Sequence, residues 1–429
     1  MGLPRFTFTD RAAPFIELGV GDTRTDVGVA RWDVAHWDNA TDATWSGSEP
    51  LWIDQTCHGY TIEVQAGRQR NVDTFAPATV TVVLDNQSGW ADATLLTLQP
   101  GRPLRVGVDH VVSGRHILFR GIIDAVTPSY TPTAGDTVEL SAVCALGEVG
   151  RVGLEDLGDP GVGGTETADI RVHRILNAAR WPMPHRDVAV SGVACLPTRL
   201  GQQVADMFAV VSESTGGAVY GDTAGRVAFR GRDWQMFLPD DPPDATIGNG
   251  GGDVCPSEWQ LSHRRDDMVT KVILAREGVE ESHVYNDETG QTLYGVETWE
   301  ALDLICSADV QLLTIATRQF RVRGGASSTQ RVERVLLDAA TGDAVVDVVA
   351  AVNVFDQPSR YRCRLNLSRG VVFDAEMLAT GVRHVMTPDE WTCDIDLDAA
   401  APFATAAGRW DSAAWNLATW ADLTERQAA

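Results

Sequence analysis

Lysine is almost absent from this chain of 429 residues, where Lys271 is the single lysine and every other fixed positive side chain is an arginine. Lys271 lies in the segment MVTKVILAR, whose Val and Ile content predicts a strand. The sequence therefore offers no GxxxxGKS or GxxxxGKT phosphate loop and no lysine of the protein-kinase type. Because arginine codons are rich in G and C, the bias also indicates a gene from a GC-rich genome.

Long apolar runs and an excess of positive charge are also lacking. No stretch approaches the roughly 18 apolar residues of a membrane span, and the opening MGLPRFTFTDRAAPF has no apolar signal-peptide core. We therefore expect a chain that is made and kept in a cytoplasm. The formal net charge of -24 argues against a surface that binds phosphate backbones, although DNA in transit past an acidic wall is compatible with it.

The cysteines lack the spacing of a disulfide framework or a zinc site. There are seven, they lie far apart, and no CxxC occurs. We expect free thiols in a reducing compartment, several of them buried in strands.

Catalytic motifs are lacking as well. The histidines form no HExxH, the glycine clusters GDPGVGG and GNGGGD do not match GxGxxG, and GxSxG is absent. His110 and His116 flank a predicted hairpin turn, where a metal site is far less expected than a structural role. The acidic face of EWTCDIDLD suits solvent better than calcium. A pair of glycosidase carboxylates needs no local motif and stays open. We predict no catalytic residue, metal or cofactor, and hence no enzyme.

The secondary-structure pattern predicts a mainly β fold with an α+β insertion, consisting of two β-barrel-like tube domains and a small α+β domain. Helices are predicted at 167–180, at 200–214 with Gly216-Gly217 as terminator, and at 308–320 with Ser307 as N-cap. The segment 239–253 is predicted to be a linker or exposed loop. The domains are an N-terminal Trp-containing arm at 1–50, a first β-barrel domain at 51–148, the α+β insertion at 149–250, a second β-rich barrel domain at 251–400, and a C-terminal Trp-containing tail at 401–429.

Strand EWTCDIDLD shows the clearest alternation in the chain. Trp391, Cys393, Ile395 and Leu397 share one face, which is predicted to be buried. The opposite face, which is predicted to be wet, carries Thr392, Asp394, Asp396 and Asp398.

Tryptophan is concentrated in the two terminal segments, which hold six of the thirteen. The pattern RWDxAxW occurs in both, and its spacing fits neither a helix face nor a strand face. Two interpretations stay open: the rings pack on the chain's own barrels, or they dock on neighbouring subunits. The predicted interface residues are Trp32, Trp37, Trp45, Trp410, Trp415 and Trp420.

Three segments give the chain a resemblance to a known family. They are FRGIIDAV at 119–126, the block LGQQVADMFAVVSESTGGAVYGDTAGRVAFRGRDW at 200–234, and the RWDxAxW segments. With the order of domains, they resemble the tail hub, a minor tail or baseplate hub protein, of long-tailed bacteriophages with GC-rich, actinobacterial hosts. The resemblance implies a homotrimer at the virion tail tip, assembled in the host cytoplasm, that closes the tail tube and forms part of the DNA ejection channel.

The partners that this resemblance implies are the distal tail protein, the tape measure protein, and receptor-binding or fibre proteins. Two alternatives stay open. One is the distal tail protein itself, a hexameric ring of similar barrel type. The other is a β-rich carbohydrate-active enzyme that acts on cell-wall glycans.

Overall fold

The computed structural model describes most of the chain between residues 12 and 402. The described residues are 12–20, 50–91, 98–131, 135–154, 165–237, 241–263, 268–324, 330–339, 359–366 and 372–400. Within these ranges, residues 69, 71, 199 and 202 are not described. Residues 345, 346, 348, 349 and 402 are described in addition. The fold is mainly β, with 49% strand and 21% helix. The predicted fold class is therefore confirmed. The division into five domains stays a prediction.

The first strands arise where Val, Ile and Thr alternate. In the strand at residues 76–85, Val80, Val82 and Leu84 are buried while their neighbours point outward, so one face of the sheet is in the core. This region is rich in strands, as predicted. Its strands are β1 Ala12–Val20, β2 Leu51–Asp54, β3 Gly59–Gly67, β4 Ala76–Asp85, β5 Pro103–His110, β6 Gly114–Ser129 and β7 Thr137–Cys144. A 3₁₀ turn at Thr56–His58 precedes β3.

Strands from the C-terminal part of the chain extend the same sheet. They are β13 Ala245–Gly248, β14 Glu258–His263, β18 Gln330–Asp338, β19 Arg360–Asn366, β20 Val372–Met386 and β21 Trp391–Ala399. Strand β13 lies inside the segment predicted to be a linker. That prediction is wrong for residues 245–248, because they pair in parallel with β19.

One sheet of thirteen strands joins the two β-rich regions. Its order is β14-β18-β21-β20-β3-β4-β7-β6-β5-β1-β2, with β19 paired to both β20 and β13. The joint is the antiparallel pair of β20 and β3, in register from Gly381 opposite Gly67 to Met386 opposite Ile62. Gly67 has φ +111°, and a Cβ atom there would overlap the backbone of Thr380 and Gly381. A side chain at this position would push the two strands apart.

A helical unit lies between the two groups of strands. Its helices are α1 Ala145–Gly150, α2 Ala168–Ala178 and α3 Val204–Thr215. Its short strands are β8 Glu166–Thr167, β9 Arg186–Val188, β10 Ala194–Cys195, β11 Ala218–Gly221 and β12 Val227–Arg230, with a 3₁₀ turn at Met183–His185. The helices predicted at 167–180 and 200–214 are present as α2 and α3. Helix α3 begins four residues later than predicted. Gly216, with φ +69°, ends α3 as the sequence predicted.

A second small α+β unit follows β14, within the predicted second β-rich region. Strands β15 Lys271–Arg276, β16 Ser282–Asn286 and β17 Thr298–Leu304 form a three-stranded sheet with β15 in the middle. Helix α4 Glu288–Tyr294 connects β16 to β17. Helix α5 Asp309–Arg323 covers the sheet, with Leu312 and Ile315 in a shared core.

The start of α5 differs from the prediction by one residue. The N-cap is Ala308, not Ser307. The side chain of Gln311 supplies the cap instead, because its Oε1 accepts hydrogen bonds from the backbone N–H groups of Ser307 at 2.7 Å and Ala308 at 3.3 Å. Among the described residues, no helix is long and apolar enough to cross a membrane.

Candidate functional site

The two histidines singled out in the sequence do meet across the β5–β6 turn. Ser113 lies between them, with its Oγ 2.6 Å from His110 Nδ1 and 2.7 Å from His116 Nε2. No group of three or more His, Cys, Asp or Glu side chains within the described ranges could hold a metal ion. The two histidines are linked across the turn through Ser113.

This turn presents two apolar side chains to solvent. Val111 is 73% exposed and Val112 is 71% exposed. The hairpin below them is held by Arg115, which donates to both carboxylate oxygens of Asp109 at 2.7 and 2.8 Å. The turn therefore exposes an apolar tip above a hairpin that an ion pair holds.

The two ends of the thirteen-stranded sheet are open edges in the described part of the chain. At one end β2 pairs with β1 alone, and at the other β14 pairs with β18 alone. Next to the first edge, the Trp52 ring lies under two guanidinium groups, with centroid distances of 4.2 Å to Arg105 and 5.4 Å to Arg120. An edge strand carries unpaired backbone groups that other chains can pair with or cover.

The predicted interface tryptophans cannot be placed on these surfaces. Trp32, Trp37, Trp45, Trp410, Trp415 and Trp420 all lie outside the described residues. Their role as docking residues therefore stays a proposal.

The acidic strand β21 follows the predicted alternation with one exception. Its predicted apolar face is buried. Asp394, on the wet face, forms an ion pair with Arg334 at 2.6 Å. Asp398 was predicted to be on that face too, and this is wrong: its carboxylate is only 1% exposed and lies 3.0 Å from Nε of Arg70, itself 4% exposed. The connection between β3 and β4 places Arg70 over the end of β21, which excludes water.

A cavity of about 260 Å³ lies beside this buried ion pair, and we refer to it as the arginine cavity. It forms where the β3–β4 connection meets the end of α3 and the C-terminal half of α5. Its lining combines charged groups with an apolar wall and consists of Arg68, Val72, Asp73, Thr74, Ser212, Glu213, Gly216, Gly217, Trp299, Ile315, Arg318, Gln319 and Arg323.

The guanidinium groups of the cavity are held by several partners. Arg68 donates to the backbone carbonyl of Asp73 at 3.2 Å and lies 4.6 Å from the Phe75 ring centroid. Arg323 forms an ion pair with the Asp73 carboxylate, and Arg318 donates to the carbonyl of Gly216. These contacts fix the positive charges in place.

Burial changes the acid–base properties of the cavity. The pKa of Arg68 is lowered to about 9 by burial and by the positive charge of Arg318, an effect that Asp73 and Asp398 partly offset. Burial lowers the pKa of Arg318 to about 10. Both groups stay protonated at neutral pH. Burial also raises the pKa of Glu213.

The cysteines bear out part of the sequence prediction. All seven are free, and Cys144, Cys195, Cys306, Cys363 and Cys393 are buried. Burial raises the pKa of Cys363 to about 12, so this thiol is unreactive at neutral pH.

Comparison with solved structures finds likenesses that extend over most of the chain, among them those to two tail proteins. The tail protein from Neisseria meningitidis MC58 has 12% sequence identity and a TM-score of 0.56, over 92% of this chain and 100% of that chain. The 43 kDa tail protein of prophage MuSo2 from Shewanella oneidensis has 9% sequence identity and a TM-score of 0.50, over 82% of this chain and 97% of that chain. No protein-family model and no curated protein matches. At these identities, the comparison shows that this chain shares the fold of these tail proteins.

Proposed function

We propose that this chain is a structural subunit of a bacteriophage-type tail, and that three copies form the hub that closes the tail tube at the tip. The observation that carries the proposal is the fold likeness, which includes the whole length of the Neisseria tail protein and 92% of this chain. A likeness of that extent leaves little of the chain for a separate catalytic domain. We therefore propose a structural role and no enzymatic activity.

The surfaces of the subunit support a role in assembly. The sheet has an open edge at each end within the described residues, and the β5–β6 turn exposes Val111 and Val112. Contacts between copies in a closed ring would cover such edges, and three copies would give a ring with cyclic symmetry. In this arrangement Trp32, Trp37 and Trp45 of the N-terminal segment and Trp415 and Trp420 of the C-terminal segment would dock on neighbouring subunits.

The proposed partners follow from the place at the tail tip. The distal tail protein would lie above the hub, the tape measure protein within the tube, and receptor-binding or fibre proteins around it. DNA would pass through the ring only during ejection. The site of action would be the virion tail tip, after assembly in the host cytoplasm.

Antibody labelling of particles tests the location directly. Particles from a host that carries this gene are labelled with gold-conjugated antibody against the chain and imaged by negative-stain electron microscopy. Gold at the end of the tail farthest from the capsid supports the proposal. Gold along the whole tail, or on the capsid, contradicts it.

The net charge leads to a prediction about DNA. Each chain carries a formal charge of -24, so a ring of three would repel DNA and let it pass without adhering. We expect no binding of duplex DNA by the purified chain at physiological salt in a fluorescence anisotropy titration, with a Kd above about 10⁻⁴ M, the weak end of non-specific binding. Tight binding that weakens steeply with added salt would contradict the prediction.

A further inference from the structure

The arginine cavity has a positive charge that is unusual for this chain. Three guanidinium groups, those of Arg68, Arg318 and Arg323, face two carboxyl groups, those of Asp73 and Glu213. The acidic residues of the whole chain outnumber the basic ones by 59 to 35. The cavity is therefore a place where a carboxylate of this protein would be attracted and not repelled.

A buried amide in the same cavity adds a second requirement for a ligand, which is a hydrogen-bond donor. Gln319 is only 6% exposed, and its Oε1 has no hydrogen-bond partner among the described residues. A buried acceptor without a donor destabilises the fold, so an N–H or O–H group that reached it would be bound favourably. Trp299 and Ile315 offer an apolar wall beside it. The matching ligand has a carboxylate, a hydrogen-bond donor and an apolar body.

A tryptophan followed by an aspartate has these three properties, since the indole is an apolar ring with one N–H donor. This dipeptide occurs three times in the chain, at Trp32-Asp33, Trp37-Asp38 and Trp410-Asp411. The first and third copies are each preceded by an arginine, Arg31 and Arg409, whose charge is complementary to that of Glu213.

The chain segment that leads to the third copy starts beside the cavity. Ala400, at the end of β21, is buried against Val322 and Leu378, with Val72 packed on the same cluster. Val72 lines the arginine cavity, and Arg323 follows Val322. The ten residues from Ala400 to Trp410 can span at most ~36 Å, which is ample for a return to the cavity. The first two copies precede β2 in the chain. Strand β2 lies at the opposite end of the strand order from β21 and β14.

We propose that the arginine cavity is the docking site for Trp410 and Asp411 of the same chain. The Asp411 carboxylate pairs with the guanidinium groups, and the Trp410 indole N–H donates to Gln319 Oε1. Because the segment is tethered, its effective concentration at the cavity is in the millimolar range, and modest contacts suffice. The docked pair anchors the base of the tail, from which Trp415 and Trp420 extend toward a partner. This inference does not depend on the proposed role in a phage tail.

Site-specific cross-linking in the full chain tests the proposal. Cys57 and Cys255, the two exposed thiols, are first replaced by serine. Thr74→Cys places a thiol on the exposed rim of the cavity, and Ser412→Cys places one next to Asp411. A short bis-maleimide is added to an equal mixture of ¹⁴N and ¹⁵N chains, and the linked peptides are identified by mass spectrometry. A matched control carries Ser129→Cys at the exposed end of β6 in place of Thr74→Cys.

We expect a link between positions 74 and 412 within one chain, at a yield at least about tenfold above that of the control. Adding Asp411→Asn should reduce this yield several-fold without a change in melting temperature. A yield equal to that of the Ser129→Cys control would overturn the proposal. Linked peptides of mixed isotope composition would also overturn it, since the occupant would then come from another copy.

Discussion

Replacement of Asp398 by asparagine should lower the free energy of unfolding by about 3–5 kcal/mol. The carboxylate and its partner Arg70 are both almost completely buried, with 3.0 Å between Oδ2 and Nε. Loss of the negative charge removes the carboxylate that the desolvated Nε of Arg70 contacts, and this loss of charge compensation is the main cost. Equilibrium unfolding in urea, followed by tryptophan fluorescence and circular dichroism, measures the change.

An exposed ion pair in the same sheet is the matched control. Arg383 on β20 donates to Glu63 on β3 at 2.8 Å, but the two side chains are 47% and 40% exposed. Glu63→Gln should therefore cost less than about 1 kcal/mol. The double variant Arg70→Met with Asp398→Leu should recover most of the loss of Asp398→Asn, because it removes both charges. If Asp398→Asn and Glu63→Gln lower the free energy of unfolding equally, the buried ion pair is no more important for stability than the exposed one.

Acid should destabilise the chain through His384 on β20. This imidazole is fully buried between β3 and β21, opposite Val64 and Cys393, and neither ring nitrogen has a partner in the described part of the chain. Burial lowers its pKa from 6.5 to about 3. The unfolded chain therefore takes up the proton first, and stability is lost as pH falls below about 6.5. The slope is about 1.4 kcal/mol per pH unit, which amounts to roughly 3 kcal/mol at pH 4.

The variant His384→Phe isolates this contribution from that of the carboxylates. Phenylalanine keeps an aromatic ring beside Trp391, whose ring centroid lies 6.3 Å from that of His384, and it cannot take up a proton. Urea unfolding of both proteins is measured at several pH values between 7 and 4. The difference in free energy between them should change by about 3 kcal/mol over this range. A difference that does not vary with pH would show that His384 has the same pKa in the folded and unfolded chain, as an imidazole accessible to water would.

Local patterns were sufficient to predict most strands and helices. The alternation in EWTCDIDLD fixes the buried face of β21, and the apolar spacing near Val204 and Phe208 identifies α3. The pairing of strands depends on contacts between distant parts of the chain. Strand β3 pairs with β20 more than 300 residues later, and neither segment carries a signal for the other. The same applies to the strand in MVTKVILAR, which was predicted correctly but belongs to a separate small sheet.

The candidate site was predictable to a smaller extent. Asp398 looks like the other aspartates of its strand, and nothing in the sequence links it with Arg70, 328 residues away. The arginine cavity has one local signal in the sequence, because QAGRQR and TRQFRVR are two arginine-rich segments in an acidic chain. Of the cavity arginines, Arg68 comes from the first segment, and Arg318 and Arg323 come from the second. Only the fold shows that these segments meet.

The number of copies at the tail tip tests the central proposal most directly. Cryo-electron microscopy of particles that contain this chain, with averaging of the tail end and no imposed symmetry, would reveal how many copies surround the tube axis. We predict three copies, each contributing both of its β-rich regions to one ring. Six copies around the axis would contradict a hub and favour the distal tail protein, and absence of the chain from the tail end would contradict both.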